Sequence, residues 1–149
     1  MERTFIMLKP DAVQRGLVGE IITRFEKKGF KLAGLKMVKV DRTLAEAHYA
    51  EHKGKGFFEP TVGYIMSSPV VAMVWQGKNG VALARELMGA TNPASANPGS
   101  IRGSYAMDIS RNVIHGSDSV VSAEREIALY FKPEELIDYP KVGEEWLSE

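Results

Sequence analysis

"PVVAMVWQG", Pro69–Gly77, is the clearest strand in this chain: six apolar residues in a row, opened by Pro69 and closed by Gly77. The neighbouring segments take their assignments from it. After it, "NGVALARELMG" (Asn79–Gly89) has helical spacing with Gly89 as its stop. Before it, "FFEPTVGYIMSS" reads as a short helix with Pro60 near its start, and "GKG" (Gly54–Gly56) separates it from the segment upstream. That upstream segment is a predicted helix from Leu44 to His52, because Thr43 and Glu46 have capping-box spacing. "FKLAGLKMVKVD" (Phe30–Asp41) interleaves apolar residues with Lys36 and Lys39 and is a second strand. In "LVGEIITRFEKKG", Leu17, Ile21 and Phe25 share one helical face, joined by Val18 and Ile22, and Gly29 ends the run. "RTFIMLK" (Arg3–Lys9) is a short buried strand bounded by Pro10 and Asp11.

Beyond Gly89 the pattern changes. "ATNPASANPGSIRGSYAMDISRN" holds two Asn-Pro pairs and no helical or strand period, and so long a loop in a compact domain is usually functional or disordered. "NVIH" (Asn112–His115) follows, then a helix from about Ser119. "IALYF" (Ile127–Phe131) is a possible last strand, and the polar tail from Lys132 has Trp146 as an apolar anchor. The order predicts an α+β sandwich of the ferredoxin-like, split βαβ type. Helices cover one face of a mostly antiparallel, four-stranded sheet, and residues 1–149 form one domain.

Composition narrows the function. Lys+Arg and Asp+Glu are both 19, so no global field recruits nucleic acid or an anionic membrane, and an anionic ligand must be held by local charges. The absence of cysteine excludes disulfides, thiolate metal sites and a cysteine nucleophile, and fits a reducing cytoplasm. No apolar stretch approaches a membrane span. The G-x-x-x-x-G-K-[ST] and G-x-G-x-x-G phosphate cradles are also missing, since Glu59 stands where "GKGFFE" would need its third glycine.

Three constellations remain. "HYAEH" (His48–His52) matches a zinc-peptidase pattern, with His48 and His52 one helical turn apart and Glu51 as base; the plainer reading is a solvated helix face with two surface histidines. "HGSDS" sets Ser117 and Asp118 beside His115 and invites a Ser-His-Asp triad, but sequence neighbours rarely present triad geometry. Finally, Thr91, Arg102 and Arg111 in the long loop, with Arg85 before it and Lys9 at the end of the first strand, supply hydroxyl, guanidinium and ammonium donors suited to phosphate oxygens. Their loop leads directly to His115.

"NVIHGSDS", "TNPASANPGSIRG" and "TFIMLKPDAVQRGLVGEII" together resemble the nucleoside diphosphate kinases, and the likeness runs on through "FKPEELIDY". The resemblance implies ping-pong transfer of the γ-phosphoryl group, mainly from ATP, to any nucleoside diphosphate through a phosphohistidine on His115. An imidazole suits that role because its neutral form offers a lone pair near pH 7. By the same resemblance Nδ1 attacks, Glu126 fixes the other side of the ring, and Ser117 and Tyr49 lie beside it. Arg85, Thr91 and Arg102 hold phosphates, while Lys9 and Asn112 reach the ribose hydroxyls, Lys9 also lying near the phosphate in transit. Phe57 stacks on the base, with Thr61 and Ile109 flanking it. Thr61 stands where the family usually has leucine and Ile109 where valine is common. Mg²⁺ is implied, carried mainly by the nucleotide phosphates and water. So is a homo-oligomer, with the tail through "EEWLSE" favouring a hexamer over a tetramer. Gly116 is expected to leave room for the incoming phosphoryl group. A non-catalytic domain that binds nucleotide or a protein partner is the reading from another class.

Overall fold

The computed structural model describes residues 1–149. Four strands, β1 (Glu2–Leu8), β2 (Lys31–Val38), β3 (Val70–Gly77) and β4 (Ile114–Gly116), form one sheet in the order β2-β3-β1-β4. Every pairing is antiparallel. The helices are α1 (Pro10–Gln14), α2 (Val18–Lys28), α3 (Arg42–His48), α4 (Phe58–Met66), α5 (Gly80–Met88), α6 (Ile101–Tyr105) and α7 (Val120–Tyr130). The α+β sandwich expected from the sequence is the architecture found.

Alternation along the two central strands explains the layers. Ile6 and Leu8 of β1 join Val71, Met73 and Trp75 of β3 in a core with Ile21 and Phe25 of α2, Ala84 and Met88 of α5, and Ile101 of α6. Phe5 and Met7, with Val70, Ala72 and Val74, face Ala45 of α3, Val62 and Ile65 of α4, and Tyr130 of α7. Helices therefore cover both faces of the sheet rather than one. This is why β1 and β3 read as unbroken apolar runs: residues of either parity are shielded from water.

Three further expectations are corrected. "IALYF" is not a strand: Ile127–Tyr130 complete α7, whose N-cap Ser119 accepts from Ser122 N–H. Tyr130 and Phe131 are buried at its end, so their apolar character reflects core packing rather than sheet pairing. The cap of α3 is Asp41, which accepts from Leu44 N–H, not Thr43. This helix ends at His48 and passes into the 3₁₀ turn Ala50–His52. Trp146 does not anchor the tail, being 87% exposed. Lys31, which donates to the Tyr139 carbonyl, and Lys141, which donates to the Phe30 carbonyl, tie the tail to β2 instead. The long loop is also less irregular than it reads. It contains the 3₁₀ turn Pro93–Ser95 and α6, capped by Asn92 and Ser100 respectively.

Candidate active site

The register between β1 and β4 places the site. His115 lies directly opposite Met7, and cross-strand partners project to the same face. That is the face on which α3 and α7 pack. His115 thereby meets Glu126 from α7, with Nε2 3.1 Å from Oε1. The same carboxylate oxygen accepts the Ser117 hydroxyl at 2.6 Å. Burial pushes the Glu126 carboxyl upward, but the His115 and Ser117 hydrogen bonds and the nearby histidines outweigh it and hold it below the usual glutamate range. An ionised Glu126 only accepts, so the hydrogen on this bond belongs to His115 Nε2, and the neutral ring keeps its lone pair on Nδ1. Ser117 serves Glu126 rather than His115, which removes the Ser-His-Asp arrangement.

A polar pocket opens at this ring, lined by Tyr49, Arg85, His115, Asp118, Arg125 and Glu126 among others. Arg85 Nη1 donates to the Gly116 carbonyl at 3.1 Å. Burial, with the Glu126 charge, raises the Tyr49 phenol to about 12, so it stands in the pocket as a neutral donor.

The chain before His115 is held in a strained turn. Val113 is fully buried at φ 63°, a region that a β-branched residue rarely adopts. Ile114 N–H donates to the Asn112 carbonyl at 2.8 Å, closing a γ-turn around it. Asp11 accepts from Val113 N–H at 3.1 Å and also receives the Tyr64 hydroxyl, while Lys9 N–H donates to the Val113 carbonyl at 2.9 Å. Asn112 is nearly fully buried; its Oδ1 accepts from Lys9 Nζ at 2.8 Å and its Nδ2 donates to the Thr91 carbonyl at 3.0 Å. Arg102, 4% exposed, donates to the carbonyls of Gly89, Asn112 and Ile114 at 3.1, 3.3 and 2.6 Å. Three of its five N–H groups thus brace the loop, and two remain for a ligand. Burial, and then mutual repulsion, lowers Lys9 to about 8 (beside Arg102) and Arg102 to about 10 (beside Arg85). Buried cations grouped in this way favour an anionic ligand.

A family model described as nucleoside diphosphate kinase matches residues 2–136. A nucleoside diphosphate kinase of Desulfitobacterium hafniense is 83% identical over 149 residues, covering all of both chains. One of Carboxydothermus hydrogenoformans is 66% identical with the same coverage. Among solved structures, a halophilic nucleoside diphosphate kinase from Halobacterium salinarum in complex with CDP superposes with a TM-score of 0.97 at 51% identity, covering 99% of each chain. The chain belongs to the nucleoside diphosphate kinase family. It is an enzyme that transfers phosphoryl groups between nucleotides.

Within this nucleoside diphosphate kinase the fold brings His115, Glu126, Ser117, Tyr49 and Arg85 together, and hydrogen bonds link Lys9, Asn112, Arg102 and Thr91 into one adjoining network. Phe57 is half exposed, with its ring 5.1 Å from His52 at the pocket rim. Thr61 donates its hydroxyl to the Phe57 carbonyl at 2.7 Å, so the polar group that replaces leucine is satisfied within its own helix. Ile109 is 53% exposed in the turn between Asp108 and Arg111.

Two sequence readings change in this kinase. His48 is not a surface residue: it is 4% exposed, donates to or accepts from Tyr130 Oη through Nδ1 at 3.0 Å, and stacks edgewise 4.7 Å from the His115 ring. Burial, with His115 beside it, lowers it to about 3 and keeps it neutral. The available signal was its position three residues after Ala45, on the buried stripe of α3. Gly116 is required by the core beneath the site. A Cβ there would come within 2.3 Å of Met88 Sδ and 3.0 Å of Ile6 Cδ1. Gly116→Ala is expected to cost about 1–3 kcal/mol by overpacking, read from denaturant unfolding. Unchanged stability would return the explanation to crowding of the phosphoryl group.

Proposed function

We propose that His115 is the nucleophile of this kinase, phosphorylated on Nδ1 by a nucleoside triphosphate, mainly ATP, and dephosphorylated by a nucleoside diphosphate. The observation that carries the reading is the Glu126–His115 hydrogen bond, which places the ring hydrogen on Nε2 and leaves the Nδ1 lone pair free to attack. In the forward half-reaction Nδ1 forms a bond to the γ-phosphorus as the bond to the β–γ bridging oxygen breaks, and the diphosphate leaves. The second half-reaction runs the same step in reverse with a different diphosphate. Lys9, Arg85, Thr91 and Arg102 hold the phosphate oxygens as charge shifts among them. Tyr49 donates within the pocket, Ser117 steadies Glu126, and Asn112 with Lys9 reaches the ribose. Phe57, flanked by Thr61 and Ile109, offers a face to the base; stacking distinguishes bases poorly, which favours broad acceptance. The Halobacterium salinarum relative is in complex with CDP, which supports binding of a nucleoside diphosphate.

Mg²⁺ belongs to this reading as part of the bound nucleotide. The groups around the transferred phosphate are cations, and the buried carboxylate of Glu126 is already engaged by His115 and Ser117, so the donor set fits phosphate oxygens and leaves Mg²⁺ to phosphate and water. When bound, the ion offsets charge on the phosphates. The same proposal takes residues 1–149 as one catalytic domain, assembled as a homo-oligomer with a hexamer favoured over a tetramer, acting in the cytoplasm without nucleic acid or membrane; no helix is long and apolar enough to cross one.

The test is brief incubation with γ-labelled ATP and Mg²⁺ followed by a base quench. Acid-labile, base-stable label on His115 that any nucleoside diphosphate removes is expected; label on serine, or none, would sink the mechanism. A second consequence concerns Lys9. Its ammonium is depressed to about 8 chiefly by burial, and a bound phosphate restores the charged form. Nucleotide binding at about pH 8 should therefore take up a fraction of a proton, fading toward pH 6.5 where Lys9 is already charged. Calorimetry in buffers of different ionisation enthalpy measures this uptake, and proton release at pH 8 would contradict it.

A further inference from the structure

Beside the phosphoryl acceptor the fold assembles a group that phosphoryl transfer leaves unexplained. A ring nitrogen of His48, a ring nitrogen of His115 and an oxygen of Glu126 all lie within 4.8 Å of one another. Independently, His48 Nε2 is buried with no hydrogen-bond partner, although its other nitrogen is engaged by Tyr130. A buried polar atom left without a partner has a desolvation cost that needs a reason. We propose that His48, His115 and Glu126 form an inhibitory site for a borderline transition-metal dication, Zn²⁺ or Co²⁺, that is exclusive with phosphorylation of His115. The inference rests on the reading of His115 as nucleophile.

The chemistry is specific to that class of ion. Two imidazoles and one carboxylate, with a fourth position open to pocket water, suit Zn²⁺ and Co²⁺; Mg²⁺ prefers an all-oxygen octahedron. Metal–ligand bonds of about 2.0–2.2 Å require the three atoms to draw together, and His115, at a pocket mouth with its side chain 22% exposed, is the ring with room to move. With Nδ1–H donating to Tyr130 Oη, His48 presents its Nε2 lone pair, and the phenol acts as the outer partner that orients a metal-bound histidine. On binding, Glu126 exchanges the His115 Nε2 proton for the metal, and that proton is taken up at Nδ1 of the same ring, with no net release. Nδ1 then has no lone pair for phosphorus. The metal therefore inhibits by shifting the tautomer as well as by occupying the pocket. The zinc pattern legible at His48–Glu51–His52 is thus replaced in space: His48 is retained, and His115 and Glu126 supply what Glu51 and His52 do not.

The experiment titrates nucleotide-free protein with Co²⁺ alone, following visible ligand-field absorption, then displaces it with Zn²⁺. One Co²⁺ per chain in a four-coordinate spectrum is expected, undisturbed by excess Mg²⁺. Protein first phosphorylated with ATP and Mg²⁺ and then desalted is expected to bind at least about tenfold more weakly, as is His48→Gln, whereas His52→Asn binds as the parent does. Phosphoenzyme yield, measured without Co²⁺ or Zn²⁺ in every preparation, reports folding and tests the underlying reading separately. Absence of phosphoenzyme overturns the nucleophile assignment. Phosphoenzyme with no Co²⁺ binding overturns the metal site, and so does binding that survives phosphorylation or depends on His52. If His48→Gln fails to fold, the comparison of phosphorylated with unphosphorylated parent protein still decides.

Discussion

His115→Ala is expected to lower transfer between nucleotides by on the order of 10⁴-fold or more while leaving the protein folded. The effect is large because the imidazole is bonded to phosphorus in the proposed intermediate, and no neighbour replaces it. Ser117 is turned to Glu126, His48 is buried behind the His115 ring with its Nδ1 on Tyr130 Oη, and the chain has no cysteine. The stability cost is small by comparison. His115 is only partly buried on the short strand β4, and its removal leaves Glu126 still accepting from Ser117 and facing Arg125 at 3.7 Å. Steady-state transfer assays with the phosphoenzyme trap give the measurement. Retention of full activity would remove the nucleophile, and loss of activity together with a large fall in unfolding midpoint would show that the substitution had damaged the fold instead.

Arg102→Leu is expected to cost roughly 3 kcal/mol, because the Ile114 carbonyl loses its buried donor, the Asn112 carbonyl keeps only the Ile114 N–H and the half-buried Gly89 carbonyl must turn to water, and an unsatisfied buried group costs about 1–3 kcal/mol. For a chain of this size that corresponds to a fall in Tm on the order of 10 °C. The carbonyls belong to Gly89, Asn112 and Ile114, so the loss falls on the segment that aims His115. Arg102→Lys keeps a charge but cannot reach three carbonyls, and should recover only part of the stability. Two roles are thereby separable. Bracing is read from thermal unfolding without nucleotide, and phosphate contact from KM at a temperature where the variant is folded. A raised KM with an unchanged Tm would mean that Arg102 acts on phosphate alone.

Much of the fold was readable because periodicity reports burial directly. Val70–Trp75 and Phe5–Leu8 are apolar at both parities, Ile21 and Phe25 repeat at helical spacing, and Gly29 closes α2 with φ 112°. The misreadings share a cause. "IALYF" is apolar enough for a strand, but four of its residues are the inner end of a helix, and short apolar runs do not distinguish the two. Trp146 reads as an anchor on hydrophobicity alone, while the tail is fastened by Lys31 and Lys141, whose polar reach has no pattern along the chain. The site residues were legible only through motif resemblance. Lys9 and Asn112, 103 positions apart, share one hydrogen bond, and no spacing rule links them.

By itself the sequence determined the α+β class, the three long strands and the helices between them, the lack of thiol chemistry and the family to which "NVIHGSDS" points, because these follow from local periodicity, composition and contiguous motifs. Only the tertiary structure decided what surrounds His115. Pairing of β4 with β1 turns the histidine to the face where α7 brings Glu126 and α3 brings His48, and sets Gly116 against Met88 on the other. It also holds Val113 at a positive φ through Asp11, a carboxylate 102 positions away. Hydrogen bonds, desolvation and electrostatic shifts act over a few ångströms of space, so they become defined only when the chain has closed on itself.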